Sequence, residues 1–269
     1  MARSVSDSIR SATHPVQILR DHAVALEAAI AVAMADPKKS AVHELRTQIR
    51  RLEAQIELLA QLAAVPAHSE EAASLTRRLA RVRRAAGRVR DLDVQRDILK
   101  DEPMLPRKAA AELRDELKQT RKRNAAKLQR SLLQQLPKVA ASIEQLVQSI
   151  ATANGLTLPD VRLVSTIETW TQARAEGTDT PDRLSDEDLH TVRKAAKTAR
   201  YMAEPATSEA AARAAARYER LQDAGGRWHD WLDLTAAARA HFGAKHPLTV
   251  TAAEHCASAK AEYIDLLRQ

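Results

Sequence analysis

The segment His43-Glu-Leu-Arg-Thr-Gln-Ile-Arg-Arg51 is followed 147 positions later by a similar one, His190-Thr-Val-Arg-Lys-Ala-Ala-Lys197. A second pair lies downstream of the first, where Gly87-Arg-Val-Arg-Asp91 resembles Gly226-Arg-Trp-His-Asp230 after 139 positions. Two pairs of motifs in the same order indicate one unit that has been duplicated. Because the repeated residues include His, Arg, Lys and Asp and not only apolar ones, we predict that both copies contribute to one positively charged surface.

The composition predicts an all-α protein. Of the 269 residues, 45% are hydrophobic, only 3% are aromatic and six are glycine. The abundant types, among them Ala, Leu, Arg, Gln and Glu, are strong helix formers. Val and Ile occur mostly within helical patterns, so we expect almost no β-sheet.

Apolar residues at steps of three and four positions divide the chain into helices. Val42, Leu45, Ile49 and Leu52 form such a seam, which is typical of a packed helical bundle. The predicted helices are 16–35, 38–64, 69–100, 107–135, 138–152, 159–175, 186–203, 207–242 and 248–268, with breaks at Pro66, at Asn154-Gly155, from Gly177 to Pro181 and at Pro205.

About four long helices in each half, joined by short loops, predict one four-helix bundle per half. The N-terminal half comprises residues 10–136 and the C-terminal half residues 158–269. A connecting helix is expected within 137–157. Together these parts form a single domain over residues 1–269.

The charge is unevenly distributed along the chain. Residues 1–136 hold 26 Lys and Arg against 17 Asp and Glu, which gives +9, whereas the remainder holds 16 against 18, which gives −2. A basic excess of this kind favours an anionic partner, such as nucleic acid, an acidic membrane or another polyanion. No apolar stretch reaches ~18 residues, so we expect no membrane-spanning helix. The single cysteine, Cys256, excludes an internal disulfide and favours a reducing, cytoplasmic compartment.

Basic residues border the apolar seam of one helix in each copy of the repeat. They are His43, Arg46 and Arg50 in the first copy and His190, Arg193, Lys197 and Arg200 in the second. Each follows a seam residue directly, so that each set lies along one side of its helix. Pairing with carboxylates on neighbouring helices would explain any single arginine equally well, but the duplicated set favours a ligand-binding surface.

The next helix of each copy carries a further set of basic residues. A shift of 139 positions aligns Arg78 with Arg217, Arg81 with Arg220, Arg88 with Arg227, and Asp91 with Asp230. Like charges at helical spacing repel one another, so carboxylates or a bound polyanion must offset them. We expect Asp91 and Asp230 to orient the arginines. A third basic element, residues 107–130, includes Lys118 and Lys122.

The sequence carries no recognisable catalytic or metal-binding motif. It has no glycine-rich phosphate or dinucleotide loop, no His-Glu-x-x-His pair and no cysteine pair. Pro247 interrupts helical spacing among His241, His246 and His255. We therefore expect no enzymatic activity, no metal and no cofactor.

The His-x-x-Arg-x-x-x-Arg/Lys helix, present twice and each time followed by Gly-Arg-x-x-Asp, resembles the conserved histidine α-helical domain (CHAD) family. The resemblance covers residues 10–268 and is clearest in segments 43–59, 87–94 and 190–201. It implies two four-helix bundles related by a pseudo-two-fold axis, with a basic cleft or pore between them that binds inorganic polyphosphate. It also implies association with polyphosphate granules. Many such domains are fused to a triphosphate tunnel enzyme domain, for which this chain has no room, so a stand-alone member is expected.

The two copies differ at positions that matter for binding. Lys197 stands where the first copy has Arg50, and Glu53 stands at the position that matches Arg200. We therefore expect binding to rely more on the N-terminal half.

The resemblance, together with the duplicated basic residues, implies a non-enzymatic polyphosphate-binding protein, in which arginines donate forked hydrogen bonds to phosphate oxygens. The predicted binding residues are His43, Arg46, Arg50, Arg51, Arg78, Arg81, Arg88, Arg90, Lys118, Lys122, His190, Arg193, Lys194, Lys197, Arg200, Arg220 and Arg227. Protonation of the two histidines beside phosphates predicts an affinity that rises modestly as the pH falls from about 8 to about 6. Two alternatives stay open: a helical module that binds the phosphate backbone of duplex nucleic acid, and a structural scaffold whose arginines are all paired internally.

Overall fold

The structure, a computed structural model, describes residues 11–174 and 184–268. Within these ranges the strands are limited to β1 (Ala12–Thr13) and β2 (Leu158–Pro159), which pair antiparallel. The helices are α1 (Pro15–Ala35), α2 (Lys39–Leu59), α3 (Ser69–Asp101), α4 (Arg107–Ser149), α5 (Asp160–Arg174), α6 (Asp186–Ala203), α7 (Glu209–Phe242) and α8 (Pro247–Leu267). The prediction of an all-α protein is confirmed. The predicted break at 177–181 lies outside the described residues.

Local chemistry fixes the ends of the helices that carry the second copy of the repeat. Helix α6 begins at a capping box, in which the Ser185 side chain accepts from the Asp188 amide and the Asp188 carboxylate accepts from the Ser185 amide. Helix α7 starts after Ser208, whose hydroxyl accepts from the Ala211 amide, and ends at Gly243, which has a φ of 88°.

Helix α4 differs from the sequence prediction because it runs without a break through Pro137. The separate connecting helix predicted within 137–157 is therefore wrong, and most of that segment is the C-terminal part of α4. Val139 and Ile143, after the proline, belong to the same apolar core as Leu132, before it. Burial of this shared apolar face outweighs the one backbone hydrogen bond that proline removes.

Helices α1 to α4 pack around one core. Helix α1 contacts α2 and α4, and α3 contacts the same two helices, so that the four close into a bundle. The predicted seam residues Leu45, Ile49 and Leu52 are fully buried within it. The helical periodicity of the first half thus identified the side of α2 that faces the core.

Helices α5 to α8 are arranged differently. Helix α5 packs on α6 and α7, and α8 packs mainly along α7. Leu189, Trp228 and Tyr263 form the centre of one cluster in this half, and the Tyr263 hydroxyl donates to the Leu189 carbonyl oxygen at 3.4 Å.

The two halves meet through two apolar contacts. In the first, Ala54 and Leu58 of α2 pack with Met202 of α6 and its neighbours. In the second, the end of α3 and the start of α4 pack against α7 and α8, with Leu113 and Leu234 both buried. The parts of α2, α3, α6 and α7 next to these contacts carry the charged residues of the repeat, so the apolar contacts hold those charges together.

Pro137 offers a test of the unbroken helix, because its side chain is exposed and an alanine would restore the missing backbone donor. We expect Pro137→Ala to raise the free energy of unfolding by up to about 3 kcal/mol in urea denaturation. The control is Pro106→Ala at the N-cap of α4, where an added amide has no partner to gain within the helix, and a change within about 0.5 kcal/mol is expected. A Pro137→Ala protein less stable than the wild type would contradict this description of α4.

Candidate anion-binding site

Helices α2 and α6 pack against each other, and this contact brings the two copies of the His-Arg motif together. Basic side chains from each helix reach the junction, where charges of one half act on those of the other. We call the following residues the cation cluster: His43, Arg46, Arg50, Arg83 and Arg90 from the first half, and Arg193, Lys197 and Arg200 from the second. The two copies therefore share one positively charged junction.

Lys197 shows most clearly how crowded the charges are. Its side chain is half-buried. Burial is the main cause that lowers its pKa from 10.5 to about 7, and Arg50 and Arg46 add to the effect. Arg193 and Arg200 act in the same direction. Within the part of the chain that the structure describes, Lys197 makes no hydrogen bond or ion pair, so its charge is uncompensated by direct contact.

Glu53 is in direct contact with two first-half arginines of the cation cluster, Arg50 and Arg83. Its side chain is only 14% exposed and lies 3.6 Å from Arg50 Nη1, and it accepts from Arg83 Nε at 3.1 Å. Burial nonetheless lowers the pKa of Arg50 to about 10, with Arg83 and Arg46 adding to the effect and Glu53 opposing it. One carboxylate is thus shared by two guanidinium groups.

Asp91 and Asp230 lie near arginines of the His-Arg motif, Arg46 and Arg193 respectively. Burial raises the pKa of both carboxyls; Arg46 opposes this shift at Asp91, while His229 and then Arg193 oppose it at Asp230. Neither aspartate forms a direct ion pair with these arginines among the described residues. Their role in orienting the arginines stays a prediction.

The two repeated histidines are close to cations and tend to be neutral. Partial burial, followed by the charge of Arg90, lowers the pKa of His43. Burial and the neighbouring His229 lower the pKa of His190. The His190 ring lies 5.0 Å from the Trp228 ring and 4.6 Å from the His229 ring, and its Nδ1 is buried without a hydrogen-bond partner. A charged role for either histidine requires an anion nearby.

Several predicted binding residues have protein partners instead. Arg51 donates two hydrogen bonds to Glu204, at 2.9 and 2.8 Å, and so links α2 to the end of α6. Arg78 donates to the Ser142 hydroxyl at 2.8 Å, which ties α3 to α4. These contacts give both arginines a structural role.

Other predicted binding residues lie apart from the cation cluster. Arg227 is exposed and contacts Glu262 of α8 at 3.4 Å. Lys194 is exposed near His190. The remaining residues, which are exposed and are not among the charges acting most strongly on the cluster, are Arg81, Arg88, Lys118, Lys122 and Arg220.

The glycines of the second motif pair occupy different positions from those that the sequence match suggests. A methyl group at Gly87 would lie 2.6 Å from Arg46 Nη1, and one at Gly225 would lie 3.0 Å from Arg193 Cγ. A methyl group at Gly226 would meet nothing within 4 Å. Gly225, and not Gly226, is therefore the counterpart of Gly87 in contacting the motif arginine.

Arg83 is the member of the cation cluster that the sequence comparison missed. The position 139 residues later is Gln222, so a search for repeated basic residues passes over it. The available signal was its spacing, because Arg83, Gly87 and Arg90 follow one another at steps of one helical turn.

Two further classes of site were sought in residues 11–174 and 184–268. No group of three or more His, Cys, Asp and Glu residues there is arranged to hold a metal ion. None of the helices in these ranges combines the length and the apolar character needed to cross a bilayer.

Comparisons with known proteins place this geometry in context. The family model described as "CHAD domain" matches residues 17–239. The comparison with curated proteins gave no match.

Solved structures similar to the chain extend over nearly its whole length. The crystal structure of the CHAD domain from the plant Ricinus communis has a TM-score of 0.65 at 17% identity, and the match covers 96% of this chain and 91% of that one. The structure of PptA from Streptomyces chartreusis has a TM-score of 0.61 at 15% identity, with 95% and 98% covered. At such identities the similarity establishes the fold.

Titration of Lys197 tests the electrostatics of the junction directly. We expect the ¹³C resonance of its ε-methylene group to titrate with a midpoint near 7. Arg50→Gln removes the strongest neighbouring charge and should raise the midpoint, whereas Arg123→Gln on the exposed side of α4 should leave it unchanged. A wild-type midpoint close to 10.5 would show that the cations are not crowded as described.

Proposed function

The chain belongs to the CHAD domain family, and we propose that it binds inorganic polyphosphate in the cation cluster without catalysing a reaction. The observation that carries this proposal is the position of Lys197. It is half-buried among arginines of both halves and has no carboxylate in contact among the described residues. A bound polyanion would supply the missing negative charge.

The energetics of the cluster favour an anionic ligand. Repulsion between like charges grows as side chains leave water, because the surroundings screen them less. Carboxylates also act on the cluster, because Glu53 contacts Arg50, Asp233 acts on Arg193, and Glu219 pairs with Arg200 at 3.0 Å. At Lys197, however, the charges that act most strongly are all arginines. The free protein therefore holds unbalanced positive charge around Lys197 that binding would neutralise.

The shape of the cluster favours a chain of phosphates over a single one. On α2 the basic residues extend from His43 to Arg50, and on α6 from Arg193 to Arg200. Each set spans about 10 Å along its helix. A linear polymer with about one negative charge per phosphate can contact many of these donors at once, whereas a single phosphate reaches few.

The aromatic residues near the cluster favour a ligand without bases. Tyr201 is 5% exposed and Trp228 is 1% exposed, so neither offers a surface on which a base could stack. Base stacking contributes much of the affinity for single-stranded nucleic acid. Phosphate recognition alone suits polyphosphate better.

The proposal extends to the symmetry and the limits of the two halves. We infer that the halves are related by a pseudo-two-fold axis, supported by the contacts of Arg46 with Gly87 and of Arg193 with Gly225. In this reading the first half ends with α4 and the second begins at α5. Cytoplasmic association with polyphosphate granules would follow from binding the polymer.

Removal of the cluster arginines tests the proposal. We expect the triple variant Arg46→Ala, Arg50→Ala and Arg193→Ala to bind polyphosphate at least about 100-fold more weakly, measured by calorimetry at physiological salt. The control is the triple variant Arg107→Ala, Arg123→Ala and Arg130→Ala, which removes the same charge from exposed positions of α4. It should bind within about threefold of the wild type, because distant charges are screened.

Three outcomes would count against the proposal. Equal losses in both triple variants would indicate a general effect of net charge. Loss of the helical circular dichroism signal in the cluster variant would mean that these arginines hold the fold. Displacement of polyphosphate by duplex DNA at equal phosphate concentration would favour the nucleic-acid alternative.

The pKa of Lys197 predicts a pH dependence with a definite sign. The lysine is largely neutral above pH 7 in the free protein, whereas phosphates favour its charged form, so binding takes up a proton. If binding takes up one proton, the affinity should fall by about fivefold between pH 7 and pH 8. Below pH 7 the affinity should level off, apart from a further increase as the histidines become protonated. Lys197→Arg keeps the charge, so it should bind with a much weaker pH dependence over this interval. If the Lys197→Arg variant showed the same pH dependence of affinity as the wild type, Lys197 would be excluded as the cause of that dependence.

A further inference from the structure

Gly87 of α3 lies where the guanidinium group of Arg46 crosses from α2. The Arg46 Nη1 atom lies 2.6 Å from the place that a Cβ at Gly87 would occupy, closer than two such atoms can approach. Gly87 itself is buried. Arg46 can lie here only because residue 87 has no side chain.

Two acceptor groups lie near Gly87 and the guanidinium group of Arg46. Arg46 Nη1 donates to the backbone carbonyl of Arg83, one turn before the glycine, at 3.5 Å. One turn after the glycine, Asp91 Oδ2 lies 3.7 Å from the same Cβ position. The guanidinium thus lies against α3, near the Arg83 carbonyl and the Asp91 carboxylate.

Gly225, the corresponding glycine in the second half, is less suitable for testing how a glycine positions the motif arginine. A methyl group at Gly225 would lie 3.0 Å from Arg193 Cγ but also 2.9 Å from Tyr263 Cζ, and Tyr263 is fully buried. Substitution at Gly225 would therefore disturb the core as well as the arginine. At Gly87 the close contact involves the end of a flexible side chain, which can move without repacking the core.

We propose that Gly87 is a positioning residue of the polyphosphate site, which fixes where the guanidinium of Arg46 meets the ligand. This inference rests on the proposed function. Gly87 does not touch the ligand but acts through Arg46. A methyl group at this position would displace the Arg46 guanidinium from the Arg83 carbonyl and leave the helix intact.

The substitution Gly87→Ala separates positioning from folding, because the two effects have opposite signs. Alanine in the middle of a helix is more favourable than glycine, so we expect the melting temperature to stay unchanged or rise by about 1–3 °C. Affinity for polyphosphate of defined chain length should nevertheless fall by about tenfold, the effect of one misplaced charge-assisted hydrogen bond. The matched control is Gly226→Ala on α7, which meets nothing within 4 Å and should bind as the wild type does.

A double-mutant cycle completes the test. If Gly87 acts through Arg46, Gly87→Ala should cause no further loss of affinity in an Arg46→Ala background. The positioning role would be overturned if Gly87→Ala lowered the affinity equally in the wild-type and Arg46→Ala backgrounds. It would also be overturned if the Gly87→Ala variant bound polyphosphate as the wild type does, or if its melting temperature fell by more than about 5 °C. Absence of polyphosphate binding by the wild type would instead overturn the proposed function.

Discussion

Repulsion among half-buried cations where α2 meets α6 is the constraint on which the rest of the structure depends. Apolar packing holds the halves together on two sides of the charged residues, through Leu58 and its neighbours on one side and Leu234 and its neighbours on the other. The Arg51–Glu204 ion pair adds a direct link between the same helices. The halves can therefore keep like charges in proximity that would separate on isolated helices.

Lys197 gives the free protein a way to relieve this repulsion, because it can release its proton. Its pKa is near 7 in the folded chain and 10.5 ordinarily, so the unfolded chain binds more protons between these values. This group consequently makes the free protein more stable as the pH rises from about 7 towards about 10.5. A polyanion would reverse the sign of the local interaction, because it favours the charged form. Ligand binding and protonation are thereby linked at one side chain.

The sequence predicted much of the fold because helix formation depends on local spacing and composition. The limits predicted for 186–203 agree with α6, and the seam through Ile49 faces the core. Pro137 misled the prediction, since the burial that keeps α4 unbroken comes from tertiary packing. The repeat identified arginines that converge, but it could not show that Arg51 is paired with Glu204, which lies 153 positions away.

The most direct test of ligand binding at the junction follows the Lys197 ε-methylene resonance while polyphosphate is added at pH 8. If the polymer occupies the cation cluster, the resonance should move from the neutral to the ammonium position, because nearby phosphates raise the pKa of this amine. If polyphosphate binds while Lys197 stays neutral, the polymer lies elsewhere on the protein, and the cluster is not its site.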